Sequence, residues 1–478
     1  MSVVVTAPEP VRVARTPPFA QTILRALPGL LVLAVLWFVP ASLQPVTRQA
    51  LAIAVAAMVL WATVPWPQAW TGAGALFLFV ATGVAPASQA ISGFWNSTTQ
   101  FLLGALLLGR AVSGTGLARR LAFRLASALG SSYSGLLLAF ITTDFLLTFL
   151  IPSGIARVSV LAAIVAGLCE SLGLPRQDRA ARGLMLAVTC SASIFDKMVL
   201  AGTSSILASG IIERLGGVSI SYGRWFLAYV PCDLLTIAGC WAIVRWLFPD
   251  ASGELARGRR YFEDQYIALG PMTRGEWRAI GIVGCAIALW LTDFLHGLQP
   301  AYVALACASA AMLPGVGVLS VRDLARLPFT TLVFTATALS ISTILDRSGA
   351  LATLTSGMVG WMPAVIHGPA SASLVLYWTA FAYHLLLGAQ NLMITATLPA
   401  VVTMGQSLDF SPAVVGMIWV FGTAGKIFPY QSGVLMVGYS YGYFDGRDLM
   451  KVGLLLALLE SIILFFLVPL YWPFVGLL

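Results

Sequence analysis

The sequence predicts an all-α integral membrane fold made of two inverted repeats, each holding a re-entrant hairpin and a broken helix. Three observations predict it. Hydrophobic residues make up 59% of the 478 and charged residues 10%, with a mean hydropathy of +0.90, whereas a soluble domain carries roughly 25% charge. Apolar stretches such as 23–41, 51–66, 237–248 and 452–472 are long enough to be spans or large parts of them. They lack period-2 alternation and must be helices, because lipid offers the backbone no hydrogen-bond partner. Finally, one order of elements occurs twice, and two of the three lysines, Lys197 and Lys426, fall at matching places in it.

Residues 1–21 read as a disordered cytoplasmic tail, since no small-residue cleavage site follows a short apolar core. Residues 22–248 hold the first span and the first repeat, with a hairpin at about 134–172 and a broken helix at about 183–208. A polar loop follows at 249–276. The second repeat, 277–478, has its hairpin at about 370–408 and its broken helix at about 412–440. Stretch 97–121 parallels 330–354, with the same spacing from Ala105 to Gly116 as from Ala338 to Gly349. Counting spans across the loop makes the second copy enter from the opposite side. Inverted repeats with interrupted helices mark an inverted-repeat transporter, whose site lies near mid-membrane.

A net charge of +8 would suggest nucleic acid in a soluble protein, but here 18 of the 27 basic residues gather in alternate loops. Among them are Arg119, Arg120 and Arg124, then Arg257, Arg259 and Arg260, and finally Arg447 with Lys451. This places the N-terminus inside and the C-terminus outside, and calls for membrane lipid and no nucleic acid. The six cysteines have no paired spacing, so neither a metal site, a cofactor nor a disulfide framework is expected.

Both hairpins carry a polar interruption, at Pro152-Ser153-Gly154 and at Gly388-Ala389-Gln390-Asn391. Helices restarting at Ile155 and Leu392 would aim free N–H groups and a positive dipole end at the tip, which favours an anion; a plain kinked span is the alternative. Arg157, close behind the first tip, either clamps an anion or pairs with Asp144 or Asp196. His384 could titrate near neutral pH or serve packing.

Lys197 and Lys426 each stand five residues ahead of a polar break, where an ammonium near mid-bilayer needs a cavity, a partner or a ligand. The reading adopted is that both point into one shared anion site; the other is that each snorkels or pairs with a carboxylate such as Asp196. Thr203, Ser204 and Ser205 are expected to donate to the ligand, with Tyr430 and Gln431 as their opposite numbers and Ser432 also in the site. Ser153, Gly154 and Ile155 at one tip and Gln390 and Asn391 at the other complete the expected substrate site. No nucleophile elbow, metal-ligand cluster or phosphate loop occurs, so an enzyme is not expected.

From about residue 22 onward the chain resembles the divalent anion/sodium symporter family, in its branch of citrate/succinate exchangers and 2-oxoglutarate/malate translocators. The resemblance rests on residues 115–132, on the tip at 151–157, on His384, and above all on the Gly-Tyr, Lys and Gly pattern of 438–459. It implies about 11 transmembrane helices plus two re-entrant hairpins. It also implies a homodimer in the inner membrane, an elevator mechanism and di- or tricarboxylate substrates. Gly154 and Ile155 replace the Asn and Thr of the family's first tip, and Ala389, Gln390 and Asn391 replace the second. Lysines stand where the branch has small residues. The expectation is therefore a carrier of small anions working by exchange or proton coupling, with Lys197 and Lys426 in place of sodium. A sodium-coupled dicarboxylate symporter and an anion channel are the alternatives.

Overall fold

The computed structural model describes residues 19–39, 42–250, 255, 258–423 and 425–477. The expected tail lies outside them up to residue 18, as do parts of the polar loop. Among the described residues the regular structure is helical throughout. The helices of eight residues or more are α1 (Phe19–Phe38), α2 (Pro45–Thr63), α3 (Gln68–Ala81), α4 (Ser97–Thr115), α5 (Leu117–Leu129), α6 (Tyr133–Leu150) and α7 (Gly154–Ser171). They continue with α8 (Arg179–Ile194), α9 (Thr203–Gly216), α10 (Tyr222–Leu247), α11 (Gly258–Ala268), α12 (Arg274–Leu291) and α13 (Pro300–Met312). The last are α14 (Phe329–Arg347), α15 (Ala350–Val359), α16 (Pro369–Leu387), α17 (Gln390–Ser407), α18 (Pro412–Gly422), α19 (Gly433–Ser440) and α20 (Gly446–Tyr471). Among the described residues eight helical segments are long and apolar enough to span a membrane, and α4 and α5, bent by 62°, make a ninth when counted as one span. α3, α13, α15 and α18 are shorter apolar helices.

Local chemistry sets the ends of these helices. Ser132 caps Gly135 N at the start of α6, Asp178 caps Ala181 N in α8, and Thr273 with Glu276 forms a capping box on α12. Gly116 (φ +82°) and Gly349 (φ +71°) turn the chain between α4 and α5 and between α14 and α15, a conformation glycine alone adopts freely. Arg120 on the amphipathic α5 reaches Glu276 at 2.6 Å and the carbonyl of Gly270 at 2.8 Å, fixing α5 across the start of α12.

Burial separates two populations. In α1 only 11% of the span is buried, and Leu24, Leu31 and Phe38 face outward, as a lipid-facing helix requires. In α8, α17 and α18 nearly every residue is buried. These three therefore lie at the centre of the molecule, and the breaks that follow α8 and α18 are largely enclosed by protein, where non-helical backbone can be tolerated.

Close packing relies on small residues where helices meet. A side chain at Gly104 in α4 would bring its Cβ to 2.6 Å from Ala304 Cβ in α13, while Gly114 has open space. Gly104→Leu is expected to lower stability by about 1–3 kcal/mol. Gly114→Ala should leave the melting temperature in detergent unchanged.

Candidate functional site

The chain breaks four times around one cavity of about 550 Å³. Residues 151–153 separate α6 from α7, and Gly388 with Ala389 separates α16 from α17; Gly388, at φ +70°, makes the second turn possible. The longer breaks are 195–202, between α8 and α9, and 423–432, between α18 and α19. Both lysines lie inside these long breaks and not on helix ahead of them, which corrects the register expected from the positions of the polar residues.

The first residues of α7, α9, α17 and α19, namely Gly154, Thr203, Gln390 and Gly433, all line the cavity. Ser153 caps Ala156 N and Ser432 caps Val434 N, but Gly202 and Ala389, at the heads of α9 and α17, offer no side-chain cap. Each half of the chain thus contributes one capped and one bare helix N-terminus. At about +0.5 charge per terminus, the four amount to roughly two positive charges. The bare ones leave first-turn N–H groups available to an acceptor.

Of the expected residues, Ser153, Gly154, Ile155, Thr203 and Ser204 line one side of this cavity and Gln390, Asn391, Tyr430 and Ser432 the other. The Tyr430 hydroxyl donates to the carbonyl of Leu385, and Gln390 Nε2 donates to Thr423 Oγ1. Trp61, Gln68 and Thr331 also reach the cavity, without any cue in the sequence. Gly154 is tightly seated: a Cβ there would lie 2.9 Å from Val434 and 3.1 Å from Asp196 Oδ1.

Arg157, Lys197, Ser205, Lys426 and Gln431 are elsewhere. Arg157 is fully buried, its fork donating to Asp144 Oδ1 and to the carbonyls of Ile151 and Ala192, each at 3.0 Å. Of its two expected partners it takes Asp144 and not Asp196. Ser205 donates to the carbonyl of Lys197 at 3.1 Å, and Gln431 Oε1 accepts from the backbone N–H groups of Ile427 and Phe428. Both side chains satisfy unwound backbone that has no water to bond with. His384 is buried as well, in contact with the carbonyl of Gln431 at 3.0 Å.

The Lys197 ammonium sits 2.9 Å from Asp233 Oδ1 and 2.8 Å from Glu460 Oε1, all three groups buried. Glu460 also accepts from the Tyr377 hydroxyl at 3.0 Å, and the ammonium lies 5.2 Å from the centre of the Phe421 ring. Cys232, Asp233 and Glu460 place three ligand-type atoms within 4.8 Å of one another, and the cation at their centre is this tethered ammonium. The partner suggested for Lys197, Asp196, instead accepts from Ser204 at 3.0 Å and lines the main cavity. Lys426 Nζ donates to Ser193 Oγ at 2.7 Å and shares a small side cavity with Glu460. The two ammonium groups lie within electrostatic reach of each other, but neither lines the main cavity. Among the described residues, no arginine or lysine does.

Asp233 and Glu460 escaped the sequence reading although a signal existed. Each is a lone carboxylate in an apolar helix, in AYVPCDLLTIAG and ALLESIILFF.

Interrupted helices from both halves of the chain that start on one polar cavity are the arrangement of a membrane transporter. The family described as the sodium:sulfate symporter transmembrane region matches residues 20–478, and the chain belongs to it. Over 405 residues it is 24% identical to the citrate/succinate antiporter of Escherichia coli K12, covering 81% of this chain and 80% of that one. It is 25% identical over 429 residues to the chloroplastic dicarboxylate transporter 2.1 of Arabidopsis thaliana, covering 86% and 74%. The crystal structure of the Alcanivorax borkumensis YdaH transporter shares the fold, with a TM-score of 0.55 at 16% identity over 95% of this chain and 99% of that one.

Proposed function

We propose that this chain is a secondary transporter exchanging small di- and tricarboxylates across the inner membrane without sodium. It works as a homodimer by an elevator movement of two inverted repeats, N-terminus inside and C-terminus outside. The observation that carries this reading is the meeting of four helix N-termini, two of them uncapped, on one cavity. Their summed partial charge suits a dianion, and their N–H groups with the hydroxyls of Ser153, Thr203 and Ser432 suit carboxylate oxygens. The relatives named for citrate, succinate and dicarboxylates favour the same substrates.

The lysines act in this reading from behind the site. Lys426 has no carboxylate within ion-pair distance among the described residues, so its ammonium adds positive charge within the break between α18 and α19. A sodium ion placed about 4 Å from such an ammonium would meet a repulsion of about 4 kcal/mol at an effective dielectric near 20.

The test is counterflow in proteoliposomes. Labelled succinate should enter vesicles preloaded with succinate or citrate, at a rate unchanged when potassium replaces sodium on both sides. Uptake that rises with an inward sodium gradient would overturn the sodium-independent reading, and uptake at channel-like rates without an internal counter-substrate would overturn exchange.

A further inference from the structure

The helices that carry the breaks pack against helices that have none, and one cation bridges the seam between them. Arg214 is the single basic residue of α9, the helix that starts on the cavity at Thr203. α9 packs against α4 and α14, both uninterrupted. The half-buried guanidinium donates through Nη1 to the carbonyl of Leu339 in α14 at 3.2 Å and through Nη2 to Ser92 Oγ at 3.0 Å. Ser92 is itself tied to α14, since the N–H of the neighbouring Gly93 donates to Ser340 Oγ at 2.9 Å. Both acceptors are neutral, and among the described residues Arg214 has no carboxylate within ion-pair distance. Further along α14 there is one. Asp346 lies seven residues beyond Leu339, which is two helical turns and about 10 Å along the same face. It is exposed, forms no ion pair among the described residues, and lies within electrostatic reach of Arg214, with Arg347 beside it. Ser342 and Thr343, which stand between, are small.

The direction of α9 gives that distance a meaning. Thr203 at its head and Thr331 in the first turn of α14 both line the cavity, and Arg214 meets Leu339 further on, so the two helices run the same way. Trp61 and Gln68, also on the cavity wall, belong to the last turn of α2 and the start of α3. The cavity is thus held at one end of the uninterrupted helices, the inner end in the proposed topology. A slide of α9 by two turns along α14 would carry the cavity away from that end and bring Arg214 level with Asp346.

We propose that Arg214 is a two-position latch for this movement: it holds the present state through Leu339 and Ser92, and the state with the cavity at the other end through the Asp346 carboxylate. This deepens the function proposed above and rests on its elevator reading. Two hydrogen bonds to neutral acceptors are exchanged for one charge-assisted contact with a carboxylate, which keeps the two states close in free energy, as a carrier that visits both requires.

The test reads the position of the cavity without any substrate. A cysteine on the cavity wall, Asn391→Cys, is introduced into the full-length protein and labelled with a membrane-impermeant maleimide in right-side-out and in inside-out vesicles, the labelling of the unaltered chain being subtracted. The ratio of the two rates, far side to present side, reports the two states. Asp346→Asn removes only the second position and should lower the ratio by about three- to tenfold. Ser92→Ala removes part of the first and should raise it. Both effects should vanish in an Arg214→Gln background. Melting in detergent checks folding, and the exposed Asp346→Asn should melt like the wild type. Labelling from both sides with a ratio that Asp346→Asn leaves unchanged, or lowers equally without Arg214, overturns the latch and leaves the elevator reading standing. Labelling from one side alone, in the wild type and in every variant, overturns the elevator reading and the latch together.

Discussion

Lys197→Ala is expected to remove most of the folded protein, with a loss of about 3–5 kcal/mol, because it strands two buried carboxylates that share one ammonium. Against a total stability of roughly 5–15 kcal/mol, that is the largest effect expected of any single change in the chain. Asp233 belongs to α10, Glu460 to α20, Tyr377 to α16 and Phe421 to α18, so the cluster around the ammonium links four helices to the 195–202 break. The triple variant Lys197→Met, Asp233→Asn, Glu460→Gln should recover much of the loss, since neutral groups in the same volume carry no stranded charge. Expression level and melting in detergent read both outcomes. If Lys197 instead contacted substrate, the single variant would melt like the wild type and lose only ligand affinity.

Arg157→Lys is the second large effect, expected to cost about 3 kcal/mol or more and to abolish exchange. The guanidinium reaches Asp144 and the carbonyls of Ile151 and Ala192 from three different nitrogens, which one ammonium cannot do. Ile151 opens the first tip and Ala192 lies near the end of α8, so the fork fixes the position of Ser153 and Gly154 relative to Asp196. Arg157→Met combined with Asp144→Leu should melt closer to wild type than Arg157→Lys and still fail to exchange succinate, because the Ile151 carbonyl would have no donor and the tip would shift. Counterflow measured beside the melting curve separates the two effects. A double variant that transports normally would show that the fork has no bearing on the tip.

How far the site was legible depended on the kind of interaction involved. Polar runs in apolar sequence, Pro152-Ser153-Gly154 and Gly388-Ala389, stand where the chain breaks, because lipid makes an unbonded backbone costly and a glycine at positive φ turns where other residues strain. The lysines were legible as anomalies, but their direction was not. Both breaks open before the lysines, at Phe195 and Thr423, and Gln431, Ser205 and Trp225 supply the hydrogen bonds that let the backbone unwind there. Those partners lie at the far end of the break, beyond it or on another helix, so no local pattern ties them to the lysines.

The sequence by itself determined that this chain is a helical membrane protein with two interrupted regions rich in glycine and hydroxyls, since hydropathy and backbone satisfaction are local and additive along the chain. Only the tertiary structure decided which polar groups face the cavity and which face one another. Lys197 and Glu460 meet across most of the second half of the chain, and Asp196, next in sequence to that lysine, turns the other way into the cavity. A buried charge takes its role from whatever lies within a few ångströms of it, and that distance is set by how distant helices pack.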